Sequence, residues 1–228
     1  MKFFVIEGID GSGKSTQINL LRNFFSQQGY NCEYLHFPRT EAPYFGELIA
    51  RFLRGEFGSL DSVDPYLVAM LYAGDRKDAS ITINNWLKKN NIVFLDRYTY
   101  SNIAYQCAKL DDRSAQRKLM NWILALEFEH FAIPRPHLNI FLDVPPSFTA
   151  HKLAANRTGD DRKYLKGNHD IHEENLIFQK KVRDIYLNIA RSDNSLAVVN
   201  CSDKKGSMLT PEEIFQLILK IINSRGMI

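Results

Sequence analysis

The chain has 228 residues, enough for one sizeable α/β domain and short for two independent ones. A net charge of +3 is too slight to argue for nucleic acid, which asks for a clustered basic face, and suits small anionic substrates equally well. Three scattered cysteines, Cys32, Cys107 and Cys201, form no Cys-x-x-Cys pair and read as reduced cytosolic thiols, not as a disulfide framework or zinc site.

The first apolar run, Phe3 to Ile6, is a buried-strand candidate and too short for the apolar region of a signal peptide. No other stretch could span a bilayer, so a cytoplasmic location is expected. Directly after that run comes Gly8-Ile9-Asp10-Gly11-Ser12-Gly13-Lys14-Ser15-Thr16, the Gly-x4-Gly-Lys-Ser pattern. Ile18, Leu21 and Phe25 then share one helical face, and Gly29 can end that helix. Cys32 to Phe37 is a poorer strand, interrupted by Glu33 and His36. Ile92 to Leu95 is a continuous apolar strand that runs into Asp96-Arg97.

Leu119, Trp122, Ile123 and Leu126 mark another helix, and Leu138 to Leu142 a fourth strand. From Asn156 to His172 the chain is polar, charged and glycine-rich, which reads as a surface loop or lid. His169, His172 and Glu173 there have metal-like spacing, but the context favours solvated residues and no metal is assigned to them. Ile171, Phe178, Val182, Ile185 and Ile189 share a helical face, and Leu196 to Val199 supplies the fifth strand. Thr210-Pro211-Glu212-Glu213 opens the last helix with an N-cap, a first-turn proline and a capping-box glutamate. Its core face is expected to be Ile214, Leu217, Ile218, Ile221 and Ile222. Strands alternating with helices predict a five-stranded parallel sheet covered on both faces, in a single domain carrying a short lid over about residues 146–172.

The glycine-rich loop between strand and helix lets successive backbone N–H groups converge on phosphate oxygens at the positive end of the helix. Lys14 is placed to reach the outer phosphates, and the Ser15 hydroxyl to ligate Mg²⁺. Asp96, leaving the carboxyl end of a buried strand, can hold the same metal directly or through water. Arg97 offers a planar fork suited to a second phosphate. The loop alone establishes a nucleoside triphosphate, since GTPases, motor ATPases and small-molecule kinases share it.

The second substrate is legible in Asp96-Arg97-Tyr98-Thr99-Tyr100-Ser101-Asn102-Ile103-Ala104-Tyr105-Gln106, which resembles the signature of the thymidylate kinase family, P-loop kinases of nucleoside monophosphates. Phe37-Pro38-Arg39, Leu71-Tyr72-Ala73-Gly74-Asp75-Arg76 and Asp161-Arg162 with the segment around Phe178, Val182-Arg183 and Tyr186 are similar to its other motifs, in order and spacing. The resemblance implies a P-loop NTPase fold, a homodimer, and transfer of the ATP γ-phosphoryl group to dTMP with Mg²⁺. It implies ATP contacts from Gly8, Gly11, Ser12, Gly13, Lys14, Ser15 and Thr16.

For dTMP it implies a phosphate clamp of Arg39 and Arg97 beside Phe37 and Pro38, with Asp10 accepting from the 3′-hydroxyl. Tyr72 would stack on thymine, where the family usually has Phe, and Arg76 would donate to a thymine carbonyl. Gln106 would read the N3–H edge, Tyr105 would crowd the ribo 2′ position, and Ser101 would support the base pocket. The P-loop lacks the arginine that some members carry, so the lid is expected to supply it as Arg157 or Arg162, with Lys163 and Lys166 nearby. A deoxynucleoside kinase is the nearest rival, and Arg39 after Pro38 argues against it; a regulatory NTPase would need switch loops, which are not recognisable. Apolar faces around Leu48, Phe52 and Leu119 to Leu126 could serve a dimer or the core.

Overall fold

The computed structural model describes residues 2–60, 62–145, 148, 164–165 and 176–227. Five parallel strands form one sheet in the order β2-β3-β1-β4-β5: β1 (Lys2–Glu7), β2 (Cys32–His36), β3 (Ile92–Asp96), β4 (Leu138–Asp143) and β5 (Leu196–Asn200). The helices are α1 (Lys14–Gln27), α2 (Phe45–Leu53), α3 (Pro65–Lys88), α4 (Thr99–Cys107), α5 (Arg113–Leu124), α6 (Leu176–Ser192) and α7 (Pro211–Ser224). Alternation along β1 divides the core. Phe4 and Ile6 pack with Ile18, Leu21 and Phe25 of α1, whereas Phe3 and Val5 pack with Ala79, Ile83 and Leu87 of α3.

β1, β3 and β4 are buried along nearly their whole length, as their continuous apolar runs require. β2 and β5 close the two edges and are only partly covered. Leu196 to Val199 therefore departs from the expectation of burial on both faces: Val198 is 37% exposed, on the strand that ends the sheet among the described residues.

The helix around Leu119 is shorter than its pattern suggests, because at Ala125 the chain widens into a π-helical turn that runs to His130. In α7 the capping box forms as read, with Thr210 and Glu213 bonded reciprocally. Leu217 is a correction: it is 38% exposed, and Phe215 takes its place in the core, packing edge-on against Phe24 of α1. Phe52 and Leu119 are fully buried in this chain, so they are core residues and offer no surface to a second copy.

The lid expected over residues 146–172 lies largely outside the described residues, as do Arg157, Arg162, Lys163, Lys166, His169, Ile171, His172 and Glu173. Tyr164 and Leu165 are described within it, and Leu165 is buried.

Candidate active site

The carboxyl ends of β1 and β3 lie side by side, and the loops leaving them build one site. The P-loop follows β1 and ends at Gly13, which caps α1 with φ 84° in the left-handed region. Gly8 is equally constrained, since a Cβ there would lie 2.4 Å from Ser12 Oγ. Lys14 Nζ donates to the Ile9 carbonyl at 3.3 Å and stands 3.9 Å from Asp96 Oδ1. Ser15 Oγ donates to Asp96 Oδ2 at 3.3 Å, and Thr16 follows in the exposed first turn of α1.

Burial alone would raise the Asp96 carboxyl, but Lys14, His36 and Arg97 outweigh it and bring its pKa down to about 2. Asp96 Oδ1 is buried and, among the described residues, has no hydrogen-bond partner. An ionised carboxylate with an unmatched oxygen beside a serine hydroxyl is a donor set that fits a hard divalent cation.

Beside the loop lies a cavity of about 400 Å³, lined on one side by Asp10, Lys14, Asp96 and Arg97 and on the other by Arg39, Tyr72, Arg76, Asn102, Tyr105 and Gln106. Arg97 opens the turn from β3 into α4 with φ 68°, a backbone region that costs a non-glycine residue about 1–3 kcal/mol. Its side chain is tightly held. Nη2 donates to Asp10 Oδ1 at 2.7 Å and to the Tyr105 hydroxyl at 3.2 Å, while Nη1 donates to Ser101 Oγ at 3.2 Å. Asp10 Oδ2 in turn accepts from Tyr105 at 2.7 Å and from Gln179 Nε2 at 3.0 Å. Burial pulls the Arg97 pKa down, but Tyr105 and Asp10 override it and hold the guanidinium charged.

Beneath this layer, Glu7 is wholly buried and accepts from Ser101 Oγ at 2.5 Å, Tyr186 OH at 2.9 Å and the Tyr98 amide at 3.0 Å. Burial pushes the Glu7 pKa up despite these donors.

Arg39 follows the cis Phe37–Pro38 peptide and is anchored by Asp75 of α3. Its Nε donates to Asp75 Oδ1 at 2.8 Å, its amide to Oδ2 at 2.9 Å, and its Nη2 to the Asp75 carbonyl at 2.8 Å. Among the described residues, the other three guanidinium N–H groups have no hydrogen-bond partner and can face a ligand. The next residue, Arg76, is 1% exposed and forms a two-pronged pair with Glu127, Nε to Oε2 at 2.6 Å and Nη2 to Oε1 at 2.7 Å. Glu127 also accepts from Thr99 Oγ1 at 2.9 Å and Asn102 Nδ2 at 3.0 Å. Asn102 Oδ1 and Gln106 Oε1 are buried at the cavity wall and have no hydrogen-bond partner among the described residues. Phe37 is buried against Tyr98, and Pro38 and Tyr72 line the wall.

Every described residue expected at the acceptor pocket is thus present around one space. Sequence reasoning assigned no role to Glu7, Asp75, Asn102, Glu127 and Gln179. Asp75 and Asn102 sat inside quoted motifs, whereas Glu127 and Gln179 carried no local signal at all.

A triphosphate cradle that shares a sheet edge with an arginine-lined cavity defines a P-loop kinase acting on nucleoside monophosphates. The sequence model described as "Thymidylate kinase" matches residues 6–210. The thymidylate kinase of Mycobacterium tuberculosis (strain ATCC 25618 / H37Rv) is 31% identical over 185 residues, 81% of this chain and 84% of that one. A "Probable thymidylate kinase" of Thermococcus onnurineus is 36% identical over 203 residues, 87% and 88% of the two chains. The solved thymidylate kinase of Candida albicans superposes with a TM-score of 0.70 at 25% identity, covering 99% of this chain and 92% of that one. The chain belongs to the thymidylate kinase family. It is a kinase that phosphorylates dTMP from ATP in dTTP synthesis.

Proposed function

We propose that phosphoryl transfer to dTMP is divided among the residues of this one cavity. Transfer through a loose transition state needs alignment and charge neutralisation more than covalent chemistry. The P-loop from Gly8 through Gly11, Ser12 and Gly13 to Thr16, with Lys14, holds the ATP phosphates. Ser15 and Asp96 would hold Mg²⁺, which would supply charge neutralisation for the donor's outer phosphates. Arg39 and Arg97 present an anionic oxygen of dTMP in line with the γ-phosphorus, so no strong general base is needed. Asp10 receives the 3′-hydroxyl, and Tyr105 stands against the 2′ position, with Ser101 bracing both through Arg97.

Tyr72 stacks on thymine, Phe37 and Pro38 shape the wall, and Arg76 donates to a base carbonyl. Gln106 and Asn102 offer the acceptors for N3–H. Arg157 or Arg162 of the lid completes charge neutralisation on the transferring group and excludes water. The single domain extends over the chain with the lid as its insert.

The observation that carries this reading is that Lys14, Arg39 and Arg97 line the same cavity. A coupled ADP-release assay across dTMP, dUMP, dCMP, AMP, GMP and thymidine tests it, with dTMP the expected best acceptor; preference for another acceptor would refute the pocket roles. Arg157→Ala or Arg162→Ala should lower kcat by about 10³ with little change in ATP affinity. A normal kcat in both variants would remove the lid from the chemistry.

A homodimer fits the family and an apolar stripe on α3, where Leu67 is 57%, Met70 43% and Ile81 71% exposed. Light scattering on the purified protein tests it, a monomer mass being the contrary result. Three free thiols suit a reducing cytoplasm, and among the described residues no helix is long and apolar enough to cross a membrane.

A further inference from the structure

The buried Glu127 lies outside every motif, on the π-helical turn that follows α5, yet it touches two of the groups that face the base. Its two oxygens receive four donors: Arg76 twice, Thr99 once and Asn102 once. An ionised carboxylate can only accept, so the Asn102 group that faces it must be the NH₂. That NH₂ is held a second time by the Ala69 carbonyl at 3.0 Å. With both its protons engaged, the Asn102 amide has one orientation, and its buried Oδ1, unmatched among the described residues, is what remains for a ligand at the cavity wall. Gln106 differs. Among the described residues no hydrogen bond holds its side-chain amide, which can turn to offer either oxygen or nitrogen.

This contrast bears on base choice. Thymine presents a donor at N3 and carbonyls on both sides of it. Cytosine presents an acceptor at N3 and an amino group at position 4. A turning amide serves both bases equally. A fixed carbonyl matches the thymine N3–H and leaves two acceptors facing each other for cytosine, a mismatch that cannot be repaired in a buried site.

We propose that Glu127 is a positioning residue for base discrimination: by holding the Asn102 NH₂ it keeps that carbonyl turned to the base and rejects dCMP. The inference rests on the dTMP reading of the pocket. It adds that selectivity is set by a residue that never meets the substrate.

The test compares wild type, Glu127→Gln, Glu127→Asp and Thr99→Val by kcat/KM for dTMP and for dCMP, with thermal melting as the check on folding. In Glu127→Gln an amide oxygen that keeps Arg76 Nε and Thr99 puts the new NH₂ where Oε1 met Arg76 Nη2 and Asn102. Only the Ala69 carbonyl then still holds the Asn102 NH₂, and the Asn102 amide can turn to present it to the base. The dTMP:dCMP preference should then fall at least about tenfold, the size expected when one buried hydrogen-bond mismatch is removed. Glu127→Asp keeps an acceptor-only group and should retain the preference even if overall activity drops. Thr99→Val removes one donor to the same carboxylate, lowering the melting temperature without changing the ratio.

An unchanged ratio in Glu127→Gln, or an equal fall in Thr99→Val, would overturn the proposal and leave Glu127 a structural ion-pair partner. Wild type that failed to prefer dTMP would instead overturn the pocket reading on which it rests. Should Glu127→Gln not fold, the wild-type protein answers alone. The Asn102 side-chain NH₂ resonances in ¹⁵N spectra, identified by their absence in Asn102→Asp, should exchange slowly with solvent. Exchange as fast as that of surface asparagines would overturn the proposal.

Discussion

Asp75 grips Arg39 at three points, engaging its amide through one carboxylate oxygen, its Nε through the other and its Nη2 through the main-chain carbonyl. Arg39, after β2, is thereby fixed to the helix that also carries Tyr72 and Arg76, so three side chains of the cavity wall share one support.

Asp75→Asn keeps the side-chain volume but loses the charge and one acceptor. We expect kcat/KM for dTMP to fall about 10–100-fold while KM for ATP stays within about twofold, since a misplaced clamp costs alignment of the acceptor only. Steady-state kinetics with each substrate varied in turn checks this. A parallel rise in both KM values would show general loosening instead.

Gly46 of α2 touches the same clamp from the other side. A Cβ there would sit 2.1 Å from the Arg39 carbonyl oxygen, a main-chain atom that cannot swing aside. Gly46→Ala should therefore raise KM for dTMP as well as lower stability, by about 1–3 kcal/mol as for other overpacked sites. Gly74→Ala, whose Cβ would meet the Phe45 ring at 2.3 Å, is the comparison. There the obstacle is a side chain, and stability should suffer more than dTMP affinity.

Glu7 has a folded-state pKa above its ordinary value of 4.5, with burial the main cause. A group that binds its proton more tightly when folded lends stability that is fully present below 4.5 and is lost as pH rises through the raised value. Glu7→Gln does not titrate. Its cost in denaturant midpoint relative to wild type should therefore be larger at pH 5 than at pH 8. The opposite trend would mean that the donors from Ser101, Tyr186 and Tyr98 outweigh burial.

Cys107 and Cys201 are buried, and burial pushes both thiols up to about 12, so almost no thiolate exists at pH 8. Cys32 is partly exposed, its thiol raised less, chiefly by burial. Iodoacetamide at pH 8 should label the native protein at Cys32 alone, and all three thiols after unfolding, as intact mass spectrometry would read.

What the sequence disclosed followed the physical period of each element. The central strands announced themselves because burial on both faces leaves an unbroken apolar run, and α1 because Ile18, Leu21 and Phe25 recur on one stripe. α4 gave no such stripe, since all nine of its residues are buried and no polar face exists to set a period. Leu217 misled because an isolated exposed leucine is ordinary on a helix and nothing local marks it. The pocket was legible where motif and chemistry coincide, as at Asp96-Arg97 and Arg39. The buried carboxylates escaped notice because Asp and Glu in a helical segment read as solvent-facing, and only the fold brings Asp75 and Glu127 to their arginines.

α4 places Ser101, Asn102, Tyr105 and Gln106 at the cavity wall while its other residues plug the interior. An engineer seeking a new nucleobase preference therefore has no idle neighbour to adjust. Each exchange on this segment disturbs the core as well, so altered-preference variants should arise with compensating changes elsewhere in the sheet packing instead of as lone replacements.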